Sequence, residues 1–200
     1  MKTKLLLLCS GLLLLNACAT TKVVETWSDD STHPTFRNVL VVAVHNFAPY
    51  RTLIEEEIAY HFRAAGFTAN AAVDVLSTTE AIDRAAADVA IEKTGADCVM
   101  LVRLVGSETV EEVIPPALYL HTIYAGGWFG YYDYSVRVIP LAGYTDEFRT
   151  IKVESTLFDT ATGKRVWSTL TTTTEPEDTD ALNSYVKAMG KYLKASELFN

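Results

Sequence analysis

The chain holds four histidines, His33, His45, His61 and His121, and the question is what chemistry their neighbours allow. No pair of them stands in HExxH spacing and no Cys-x-x-Cys occurs, so no metal is expected. No G-x-S-x-G elbow presents a serine nucleophile, and Ser107, after Gly106, lacks that context. His45 is singled out by position. It follows Val39 to Val44 (VLVVAV), an apolar run that reads as a strand buried on both faces. Open α/β sheets place ligands at the C-terminal ends of such strands. A ligand pocket there would draw on His45, Asn46, Arg51 and Arg103; the competing expectation is a hydrogen-bonded surface histidine. Glu55, Glu56 and Glu57 suggest acid–base work, but negative charge in a first helical turn is favourable in itself, and a solvated face is expected. Cofactors and an enzymatic reaction are not expected, since convergent titratable groups are not evident.

A second candidate is aromatic. After Pro115-Pro116 come Tyr119, Tyr124, Trp128, Phe129, Tyr131, Tyr132 and Tyr134, with Gly126, Gly127 and Gly130 between them. Such rings combine apolar area with polar tips, which suits contact surfaces. An aromatic insertion at about 115–131 is expected, presenting Tyr119, Tyr124, Trp128, Phe129, Tyr131 and Tyr132 to an envelope protein, a glycan or a membrane. The alternative is that these rings fold back and cover one end of a sheet.

Three cysteines are present: Cys9, Cys18 and Cys98. Lys2 and Lys4 precede Leu5 to Leu15, a leucine-rich run too short to span a bilayer, which needs roughly 20 apolar residues. Leu15-Asn16-Ala17-Cys18 resembles the lipobox of bacterial lipoproteins. That resemblance implies cleavage before Cys18, lipid on its thiol and attachment to a membrane, since two or more acyl chains hold stably. Ala19, where aspartate would favour the inner membrane, implies the outer membrane, facing the periplasm. Residues 1–17 are then a signal peptide, 18–36 a tether and 37–200 the periplasmic domain. Cys98, in the run Cys98 to Val102, is expected to be buried and inert.

The net charge of −8 over 200 residues argues against nucleic acid as a partner, because phosphate binding needs clustered Lys and Arg. It also leaves membrane attachment to the lipid.

The elements that would position these residues alternate. After the strand at 39–44, Thr52-Leu53-Ile54-Glu55 reads as a capping box opening a helix to about Ala65, with Gly66 at its left-handed end. Residues 67–73 suggest a short strand. Ser77-Thr78-Thr79-Glu80 opens a second helix, with Ile82, Ala86, Val89 and Ala90 inward, ending at Gly95. Cys98 to Val105 is a further apolar strand, and the alternation implies parallel pairing. The second half reads differently. Tyr132 to Val138 and Ile151 to Leu157 alternate as strands, Asp159 to Lys164 is a hairpin turn, and Arg165 to Thr174 is a β-branched strand with exposed threonines. Asp180 can cap a last helix. The fold class expected is α/β, a single sandwich domain with a mixed sheet of five or six strands, parallel then antiparallel, and three helices. A short strand is also expected around Lys22 to Trp27.

The lipobox, the Gly95 to Val102 step, the Pro-Tyr-Gly-rich insertion and the segment Leu157 to Ser168 together resemble a group of uncharacterised bacterial envelope lipoproteins. More distantly, the element order is similar to the periplasmic α/β domain of the curli-secretion lipoprotein and of lipoprotein activators of penicillin-binding proteins. The resemblance implies a non-enzymatic accessory or assembly module, partnered by the membrane and by an envelope protein or peptidoglycan. A small-ligand or glycan-binding domain is the alternative.

Overall fold

Alternating helix and strand patterns in the first half, and strand patterns in the last third, close into one six-stranded mixed sheet with helices on both faces. The computed structural model describes residues 20–29, 31, 34–76, 82–108, 127–137, 150–174 and 178–199. Cys18, His33, His121, Tyr119, Tyr124 and the capping box at 77–80 lie outside the described residues.

The strands are β1 (Thr20–Ser28), β2 (Asn38–Val44), β3 (Thr68–Ala71), β4 (Cys98–Glu108), β5 (Thr150–Asp159) and β6 (Arg165–Thr174), in sheet order β1-β6-β5-β4-β2-β3. β2 pairs in parallel with β3 and β4, and all other pairs are antiparallel. The helices are α1 (Ala48–Ala64), α2 (Ala72–Leu76), α3 (Arg84–Thr94), α4 (Gly127–Arg137) and α5 (Asp178–Ala195).

β2 is buried on both faces, as its unbroken valine and leucine run requires. Val39 and Val41 pack against Ile58, Ala59 and Phe62 of α1 and Val186 and Met189 of α5. Leu40 and Val42 pack on the other face with Ala87 and Ala90 of α3 and Trp128 and Tyr132 of α4. Gly95 ends α3 at φ 62°, and Gly163 turns the β5–β6 hairpin at φ 68°. Both are left-handed positions that glycine takes without steric cost.

Several sequence expectations change. The short strand expected around Lys22 to Trp27 is present as β1, longer than expected, and it pairs along β6 from Thr20 to Ser28, so much of the 18–36 segment belongs to the sheet. The threonines of β6 are not an exposed row: Thr169, Thr171 and Thr173 are buried, with β1 and β5 on either side and α5 across the face that they share with Ser155 and Val153. Helix α1 opens four residues before Thr52, after Phe47, with Pro49 in the first turn and no side-chain cap. Helix α3 opens at Arg84, where Asp83 accepts the Ala86 N–H at 2.7 Å. Its inward residues are Ala87 and Ala90, while Val89 faces out. The strand expected from Tyr132 onward is helix α4 through Arg137. Among the described residues there are five helices rather than three.

Candidate functional site

The parallel strands β2 and β4 send their following helices to opposite faces of the sheet, α1 to one and α4 to the other. A crevice between such strands is the general ligand position of open α/β sheets. His45, Asn46, Arg51 and Arg103 all lie near this end, and the groove described below is lined by none of them. His45 accepts the Phe47 N–H on Nδ1 at 3.0 Å, and its ring meets Tyr50 edge-on at 5.3 Å, so it shapes a local turn. Asn46 is exposed. Arg51 and Arg103 are buried and committed to two separate polar clusters.

The first cluster links β4, β5 and α4. Arg103 and Glu154 are cross-strand partners, and Arg103 Nε donates to Glu154 Oε2 at 2.5 Å and to Tyr131 Oη at 3.1 Å. The Tyr131 hydroxyl donates to the same Glu154 oxygen. The guanidinium stands 5.3 Å from the Tyr131 ring centroid. Burial opposes the Arg103 charge, but the neighbouring carboxylate holds its pKa above the ordinary value. Burial, reinforced by Glu154, pushes the Tyr131 phenol up, so it stays a donor.

The second cluster centres on Glu55, which the sequence assigns to a solvated face and which is instead fully buried. β3 stops at Ala71, opposite Val41, so the ladder ends before Ala43. Glu55 takes over there. One carboxylate oxygen accepts the Ala43 N–H at 2.9 Å and the other the Val73 N–H at 2.8 Å, in the first turn of α2. Burial nevertheless dominates and raises the carboxyl to about 7, with the two N–H donors and Arg51 acting the other way. Tyr132 accepts the Ile82 N–H at 2.7 Å and feels the charges of Arg51 and Glu55. These buried groups lock strands to helices.

The aromatic segment divides. Trp128, Tyr131 and Tyr132 are core residues packed on the sheet, so of the two expectations these three follow the one in which the rings fold back, not the contact surface; their i, i+3, i+4 spacing is that of a helix burying one face. Phe129 is half-buried. It stacks on Tyr132 at 6.1 Å and lies 5.8 Å from the Arg84 guanidinium. Together with Arg84, Asp88, Ile91, Thr160 and one edge of Trp128, it lines an open groove of about 320 Å³ between α3, the start of α4 and the β5–β6 hairpin. Gly127 makes this junction possible: φ is 61°, and a Cβ there would meet the Gly163 carbonyl oxygen at 3.1 Å. Sequence reading misses Glu55, Glu154 and this groove. The opposite charges of Arg103 and Glu154 are a signal, but only the strand register shows that they face each other.

Among the described residues, no three His, Cys, Asp or Glu side chains cluster to hold a metal ion. Cys98 is a buried free thiol, raised by burial far above the range in which it would ionise. No described helix is long and apolar enough to cross a membrane.

No family model matches the chain, and no curated protein does. Among solved structures, the chain is similar to the PelC dodecamer from Paraburkholderia phytofirmans, at 14% identity and TM-score 0.45 over 89% of this chain and 98% of that one. It is also similar to the lipoprotein GNA1162 from Neisseria meningitidis, at 15% identity and TM-score 0.40 over 80% of this chain and 99% of that one. These are loose resemblances of shape, at identities where residue roles do not transfer.

Proposed function

We propose that this chain is a non-enzymatic envelope lipoprotein, held by lipid on Cys18, that offers the α3–α4–hairpin groove to a partner protein. The observation that carries the contact role is the groove itself. It places Phe129 and an edge of Trp128 beside Arg84, Asp88 and Glu92, an aromatic floor with charges of both signs at its rim. That combination suits a polypeptide segment with an apolar anchor and polar flanks. The anchor rests on Leu15-Asn16-Ala17-Cys18 after the leucine-rich run. Outer-membrane residence follows from Ala19 by the same resemblance.

The non-enzymatic reading is supported by Glu55, Glu154, Arg103 and Tyr131, which are buried against one another or against backbone. A ligand pocket at His45 is disfavoured because its Nδ1 already serves the Phe47 N–H.

Photo-crosslinking in living cells tests the groove. A photoreactive residue in place of Phe129 should capture a defined partner band that is absent when the same residue replaces Val24, which is exposed on the edge strand. Arg84→Glu should weaken that band. Identical capture from both positions would contradict the groove's role.

A further inference from the structure

The start of β1 lies so close to Cys18 that an anchor there would fix how the domain stands on its membrane. Ala19 alone separates Cys18 from Thr20, the first residue of β1. An extended chain advances at most ~3.6 Å per residue, so Thr20 lies within roughly 7 Å of the acylated residue. Thr20 is not a free end. It is paired with Thr174, Thr174 with Thr150, and Thr150 with Glu108, a row across four adjacent strands at one end of the sheet. An attachment beside Thr20 therefore keeps this end of the sheet nearer the bilayer than the hairpin end.

We infer that this end of the sheet, carrying Thr20, Thr150 and Thr174, faces the phospholipid surface, while the β5–β6 hairpin and its groove point away from it. The inference rests on the lipid-anchor reading above.

Two further features of that end fit a headgroup layer. Lys22 and Lys152 are both opposite Thr172, on the strands either side of β6 and two residues inside the row, so each puts a cation near this end of the sheet. Lysine is attracted to an anionic surface, and its long stem lets the ammonium extend toward lipid phosphates. At the same end, past β2, Phe47 is 55% exposed and packs against Tyr50, 37% exposed, at 5.5 Å. Val44 is opposite Arg103, several residues short of Glu108, so these rings reach the surface when the sheet leans toward its β2–β3 edge. Exposed aromatic rings of this kind sit well at a lipid–water boundary. The hairpin turn at Ala161 is about 30 Å from the Thr150 end of β5, at ~3.3 Å per residue, which keeps the groove clear of lipid.

The test uses the full-length acylated chain in vesicles of phosphatidylethanolamine and phosphatidylglycerol. Thiol-reactive fluorophores are placed by Thr174→Cys, Phe47→Cys or Ala161→Cys; buried Cys98 stays unlabelled. Nitroxide-bearing lipids should strongly quench the labels at 174 and 47 and leave the label at 161 bright. Acylated, vesicle-bound protein with equal quenching at all three positions, or with 161 quenched most, would overturn the orientation and leave the anchor standing. Failure to incorporate a palmitate probe in cells would overturn the anchor, and the orientation with it.

Discussion

Glu55 and the Arg103–Glu154–Tyr131 cluster make opposite demands on solvent, and both can be measured. The folded state raises Glu55 to about 7 from an ordinary 4.5, so between those values it holds a proton that the unfolded chain has released. Its contribution is therefore fully present below about 4.5 and is lost as pH rises to 7, by roughly 3 kcal/mol at 1.36 kcal/mol per pH unit. Urea unfolding across that range should show the decline, and Glu55→Gln should flatten it. The same substitution lowers stability at pH 4.5 by about 1–3 kcal/mol, because an amide nitrogen would face one of the two backbone N–H groups. At the other cluster, Glu154→Leu strands a buried guanidinium and should cost about 3–5 kcal/mol. Arg103→Met combined with Glu154→Leu should cost less than Glu154→Leu alone. A double mutant less stable than that single one in urea would mean that the pair gives more than mutual neutralisation.

At the level of elements, helix α4 is held by its first residue. Gly127→Ala forces a Cβ onto a left-handed backbone and into the Gly163 carbonyl, and should cost about 1–3 kcal/mol, read as a lower thermal midpoint. The same helix marks where sequence legibility ran out. The parallel strands β2 and β4 were readable because strands buried on both faces are apolar at every position, and Gly95 and Gly163 were readable because few other residues turn there. Tyr132, Tyr134 and Val136 alternate as a strand would, yet Trp128, Tyr131 and Tyr132 also satisfy helical spacing. Over so short a segment, packing against Phe158 and Arg103 decides between the two periods. Glu55 was misread for a similar reason. A capping box and a buried carboxylate look alike until it is known that β3 ends at Ala71 and leaves the Ala43 N–H unmatched by the ladder. The burial of the β6 threonines is not legible locally, because β1 beside them and α5 across their face come from opposite ends of the chain.

For the molecule as a whole, the same edge strand that completes the sheet stands next to the cysteine proposed to carry lipid. Location and orientation then follow from one attachment, with the groove at the opposite end of the sheet open to a partner. The lipobox resemblance rests on a local pattern of charge, leucine run and cysteine that needs no tertiary structure to be seen. The groove was not legible, because α3, α4 and the hairpin meet only in three dimensions. Membrane fractionation of cells producing the Cys18→Ala chain tests the central claim most directly. The account predicts that Cys18→Ala moves the protein out of the outer-membrane fraction while its thermal unfolding is unchanged, since Cys18 precedes every described element. Unchanged membrane fractionation of Cys18→Ala would contradict it.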